Sequence, residues 1–172
     1  TKMREQGLVY KLNFGCSLLQ IKEIAQRYNP DAKLAEELWK EDVRELKILA
    51  TMLYPFSDFT KDIAEKWVYD IPNQEIREQL CMNLLQNLDY ARDLSIEWIT
   101  SKKESVRCTG YWLLARLLIT KKLSDISFDV FPCVFSDILS NNVSLRSASV
   151  LVLKNIGRLS ENNVATILKK IE

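Results

Sequence analysis

The sequence predicts an all-α fold, a curved solenoid built from stacked pairs of helices. Three observations point there. An apolar residue followed by arginine recurs at the head of an apolar run, as Val43-Arg44, Ile76-Arg77, Val106-Arg107 and Leu145-Arg146. The copies lie about 30 to 40 residues apart, the period of a two-helix repeat. Three of the runs follow a segment that carries a tryptophan, namely Trp39, Trp67 and Trp98. Only four glycines and four prolines punctuate the 172 residues, so helices are long and connections short. Helix pairs of this length cannot bury their apolar faces alone and must stack on their neighbours.

The elements follow in order. Ser17-Leu18-Leu19-Gln20 has capping-box spacing, Gly15 before it allows a tight entry, and the helix runs to about Tyr28. Pro30 and Asp31 mark a turn into a helix over 31–40, and its partner spans 42–54. Pro55 ends that partner, because proline disfavours helix at the residue before it. Thr60 caps a helix to Tyr69, and Asp70-Ile71-Pro72-Asn73 breaks the chain. The next helix, 74–87, is apolar nearly all round from Leu80 to Leu85 and belongs in the middle of a stack. Further pairs are expected at 89–100 with 104–119 and at 126–140 with 143–157, and a last amphipathic helix at 160–171. No linker or alternating strand interrupts this series, so residues 1–172 read as one domain, with some natural residues expected ahead of Thr1.

Apolar residues make up 47% and charged residues 27%, the balance of a soluble globular protein. No apolar stretch reaches the roughly 20 residues of a membrane helix, and no signal peptide is visible. A cytoplasmic protein with no membrane partner is expected. Cys16, Cys81, Cys108 and Cys133 are scattered without a CxxC pair and read as structural thiols of a reducing compartment. The absence of histidine excludes His-based triads, zinc sites and proton shuttles, and no metal or other cofactor is expected. The net charge of +1 hides an asymmetry: residues 1–100 hold 13 Lys/Arg against 17 Asp/Glu, residues 101–172 hold 11 against 6. The later repeats therefore carry the positive potential.

A guanidinium in the first turn of each second helix can project onto one face of the solenoid and meet phosphates. It can equally pair with an acid of its own or the next repeat. Glu41, Asp42, Glu45, Glu75 and Glu78 favour pairing for Arg44 and Arg77. Lys102, Lys103, Lys121, Lys122, Lys154 and Arg158 share a half with Arg107 and Arg146 and favour phosphates there. Trp39, Trp67 and Trp98 occupy equivalent places and read as core. Trp112 does too, an exposed base-stacking platform at Tyr111 or Trp112 being the alternative. Gln74 and Glu78 are four apart and share a helix face. Glu78 lies one turn into its helix, where the macrodipole favours the ionised form. Its carboxylate can stabilise a cation or bridge to a nearby arginine.

Gly7-Leu8-Val9-Tyr10-Lys11-Leu12-Asn13-Phe14-Gly15 with the Ser17–Ala25 helix, Leu38-Trp39, Gln79–Leu84, Val106-Arg107 and Gly110-Tyr111 carry a family resemblance. The chain resembles the bacterial DNA alkylation repair (AlkD-like) proteins, alkylpurine DNA glycosylases built from HEAT-like helical repeats. The resemblance implies a HEAT-like α-α superhelix that holds duplex DNA, alkylated or not, in a concave basic surface. It also implies hydrolysis of the N-glycosidic bond of cationic purines without flipping the base into a pocket, unlike most glycosylases. In that chemistry a carboxylate stabilises an oxocarbenium-like sugar and positions a water, while tryptophans flank the sugar. The family motif Trp-Asp-x-x-Asp falls on Gln74-Glu75-Ile76-Arg77-Glu78, so its catalytic carboxylate matches Glu78 and its first tryptophan matches Gln74 as a site wall. The family's phosphate-contacting arginine matches Arg107, its second tryptophan Leu151, and the basic residue three places on Lys154. Arg146, Lys102 and Lys103 complete the expected DNA-binding set. Loss of both tryptophans and a longer carboxylate imply activity that is reduced, altered or lost, since misplacement near 1 Å costs about 100-fold. A monomeric DNA binder is the first expectation. The alternative is a helical scaffold for protein–protein interaction with no DNA affinity.

Overall fold

Helix starts follow the local caps. In the computed structural model, which describes residues 12–171, Ser17 and Gln20 form the expected capping box at the head of α1 (Leu18–Ala25). Gly15 before it takes φ of 74°, a conformation that costs glycine nothing. Asp31, Thr60 and Asn73 accept from the third helical amides of α2 (Ala32–Lys40), α4 (Lys61–Tyr69) and α5 (Gln74–Asn83). Between them lies α3 (Arg44–Leu53), which begins at Val43 without a side-chain cap. The Gly7–Lys11 portion of the N-terminal motif lies outside the described residues.

These helices belong to a compact unit ending at Leu88. Its centre is aromatic: Trp39 of α2 and Trp67 of α4 stack at 4.0 Å and 5°. Tyr54 and Phe59 meet the Trp67 ring edge-on. Lys47 reaches across the Trp39 ring to the Trp39 carbonyl, and burial lowers its pKa. The α3 helix packs on α1, α2 and α5. The helix expected over 74–87 breaks at Leu84 and resumes as a 3₁₀ turn, Leu85–Asn87. The carbonyls of Met82 and Asn83 accept from the Gln86 and Asn87 side-chain amides, while Leu84, Leu85 and Leu88 are buried.

The second unit starts at Asp89. It contains α6 (Ala91–Ile99), α7 (Glu104–Ile119), a 3₁₀ turn (Phe128–Val130), α8 (Val134–Asp137), α9 (Val143–Gly157) and α10 (Glu161–Ile171). The long helix α7 packs on both α6 and α9, and α10 packs on α9. The single helix expected over 126–140 is a correction. Pro132 lacks an amide donor and pushes Phe131 out of the helical region, to φ −111° and ψ 79°. Only the short α8 forms beyond it. Trp98 is core as expected, and Trp112 is half-buried. Among the described residues none of the four cysteines forms a disulfide, no strand forms beyond one isolated bridge, and no helix is long and apolar enough to cross a membrane.

Candidate functional site

The four recurring arginines differ in their partners. Val43, Ile76, Val106 and Leu145 are all buried, so each repeat head inserts its apolar residue as the pattern requires. Arg44 is also buried and turns to Glu75: its Nε donates to both carboxylate oxygens at 3.1 and 2.9 Å, and its Nη2 to Oε1 at 2.6 Å. Its Nη1 donates to the Cys16 carbonyl at 2.8 Å, while Glu45 beside it accepts from the amides of Phe14 and Cys16. Pairing of Arg44 with an acid of the next repeat is thus what forms. Arg77 donates to Gln74 Oε1 at 2.6 Å, an amide of its own helix.

Arg107, expected as a phosphate anchor, is largely buried and paired within the protein. Its Nε and Nη2 each donate to Asp137 at 2.8 Å, and its Nη1 donates to the carbonyls of Ser101 and Lys102 at 3.0 and 3.2 Å. Only 8% of the residue is exposed. Hydrogen bonding to Asp137 holds its pKa above the ordinary arginine value against the cost of burial. The side chain clamps α7 to the end of α8, with little of its surface left exposed. Tyr111, one turn on, is fully buried and donates to Asp137 Oδ2 at 2.8 Å, so it is no stacking platform either. Burial first, and the Asp137 contact second, push the Tyr111 phenol well above its ordinary range.

The remaining expected cations are exposed. Lys102 and Lys103 stand at the head of α7, and Arg146 stands in the first turn of α9 with its Nη1 on the Ser140 carbonyl at 2.7 Å. Asn142 Nδ2 donates to Glu104 Oε2 at 3.2 Å, so the heads of α7 and α9 lie side by side. Both helix dipoles add positive potential there. Arg146, Val150, Lys154 and Arg158 recur every four residues and are all exposed, forming a stripe down α9 about 18 Å long. Arg158 was not among the expected site residues, although its four-residue spacing from Lys154 is plain in the sequence. Leu151 is half-buried at the flank of this stripe.

In the first unit, Gln74 and Glu78 do share a face of α5, and Gln74 Nε2 donates to Glu78 Oε1 at 3.0 Å. Gln74 is therefore a hydrogen-bonding wall: it joins the carboxylate of Glu78 to the guanidinium of Arg77 through its two amide atoms. The expected arginine bridge to Glu78 is relayed through an amide.

The comparisons with known proteins agree with this architecture. A solved structure described as "a new family of proteins related to the HEAT-like repeat DNA glycosylases with affinity for branched DNA structures" is similar with a TM-score of 0.79 and 18% identity. The match covers 99% of this chain and 75% of that one, and it establishes the HEAT-like repeat fold. No curated protein matches the chain. The family model described as "DNA alkylation repair enzyme" matches residues 4–170, and the chain belongs to that family.

Proposed function

We propose that the protein binds DNA through exposed cations of its second unit, with alkylpurine glycosidic hydrolysis reduced or lost. The exposed basic stripe on α9, beside the paired helix heads that carry Lys102, Lys103 and Arg146, is the observation that carries the reading. Exposed cations at the helix heads and along α9 neutralise backbone phosphates and contact no base edge, so binding depends on salt and little on sequence. Lys154 belongs to this set. Arg107 acts one step back, holding the α7–α8 junction that presents Lys102 and Lys103. Duplex DNA is the first substrate. Branched DNA is the second, because the structurally similar protein has affinity for branched structures.

Reduced chemistry follows from the first unit. Glu78 retains a carboxylate, but Gln74 stands where the family places an aromatic wall and already holds one carboxylate oxygen. An amide offers a sugar cation less stabilisation than the π-face of tryptophan. Single-turnover release of methylated purines from alkylated duplex DNA tests this, with wild type set against Glu78→Ala. The expected result is DNA binding with release close to the spontaneous rate, any excess vanishing in Glu78→Ala. Rapid release would contradict reduced activity, and rapid release by the variant too would exclude Glu78 as the catalytic group. Absence of binding to both DNA forms would favour the protein-scaffold reading.

A further inference from the structure

A groove of about 500 Å³ runs between α9 and α10. Leu153 forms one wall and Val164, Ile167, Leu168 and Ile171 the other. The apolar residues of α10 recur at the spacing of a helix that buries one face. Yet no residue of α10 is buried, and Val164, Leu168 and Ile171 are 43, 57 and 53% exposed. Gly157 keeps the floor low, the nearest side chains lying 3.6 Å from where its Cβ would be. Lys154 and Arg158 border the groove, and neither forms an ion pair among the described residues.

We propose that this groove is a docking site for an acidic amphipathic helix of a partner protein. An open trough about 16 Å long accepts three turns of helix, whose apolar residues at i, i+3, i+4 and i+7 fill it. Carboxylates flanking that stripe meet Lys154 and Arg158. Charge decides between this occupant and a second copy of the chain. The groove lining holds Lys154 and Arg158 and no acid, so flanking carboxylates complement it, whereas α10 of a second copy brings Lys169 and Lys170 toward those cations. The inference stands on the groove and does not depend on the DNA reading, although Lys154 and Arg158 serve both.

The test pans a displayed library of peptides about 16 residues long, apolar at helical spacing and acidic elsewhere, against the full chain, beside a matched library with Lys/Arg in place of Asp/Glu. The acidic library is expected to enrich and the basic one not to. Val164→Ser/Leu168→Ser, which leaves every charge in place, is expected to weaken the selected peptides at least about tenfold with little change in melting or DNA affinity. Lys154→Glu/Arg158→Glu is expected to invert the preference between libraries. Failure of the acidic library to enrich, equal enrichment of the two, or binding indifferent to the serine variant would overturn the proposal. So would a dimer that the serine variant dissociates, or tighter binding to phosphatidylglycerol vesicles than to any selected peptide.

Discussion

Arg107 and Arg44 show how one residue type at one repeat position acquires its role. Each guanidinium grips a carboxylate about one repeat further along the chain, Asp137 for Arg107 and Glu75 for Arg44. Acids near Arg44 in sequence made its pairing legible. Arg107 sits among lysines in sequence, so charge counting pointed away from its partner 30 residues on, although Glu75 is as far from Arg44. Tyr111 completes the cluster, and its removal has a pH signature. Its folded pKa is raised, so its stabilisation is fully present below the ordinary tyrosine value near 10 and is lost as pH climbs above that value. In that window the unfolded chain has released the proton and the native chain has not. Tyr111→Phe should therefore cost about 1.5–3 kcal/mol at pH 7, the contribution of a hydrogen bond to a charged group. The gap to wild type should narrow above about pH 10. Urea unfolding followed by circular dichroism at both pH values checks this, and a gap that widens with pH would refute the assignment.

At the scale of elements, most helices were readable because their signals are local. Ser17, Asp31 and Thr60 cap where short polar residues precede apolar periodicity, and Pro55 lies just beyond the end of α3. The stretch 126–140 misled because Phe128, Phe131, Val134 and Phe135 keep apolar spacing across Pro132, where the missing amide decides the outcome. Packing between elements was not readable. Gly110 looked like part of a family motif, but it is where α7 meets the end of α6. A Cβ there would lie 2.8 Å from the Ile99 amide nitrogen and 3.0 Å from the Trp98 carbonyl carbon. Backbone cannot yield as a side-chain tip does. Alanine adds about 1 kcal/mol of helix propensity, whereas overpacking costs about 1–3 kcal/mol. Gly110→Ala should thus lower the thermal midpoint in calorimetry, where an exposed helical glycine would give an increase. A raised midpoint would mean that α6 and α7 separate freely.

For the whole molecule, the repeat period and the quoted motifs made the fold and family legible from sequence. The candidate site was legible in part. Spacing alone brought Gln74 to Glu78, because residues four apart on a helix meet whatever surrounds them. Spacing could not tell which cations face water: Lys102, Lys103, Arg146 and Lys154 do, and Arg107 does not. We propose that those four exposed residues hold DNA. Anisotropy titrations of labelled duplex and branched DNA, from about 50 to 200 mM salt, test it most directly. Wild type should bind with log K falling linearly in log salt. The variant Lys102→Glu/Lys103→Glu/Arg146→Glu/Lys154→Glu should melt like wild type, bind far more weakly and lose roughly 3–4 units of that slope, about 0.9 per phosphate contact. A variant that binds with the same affinity and slope as wild type, or a wild type without salt-dependent binding, would contradict it.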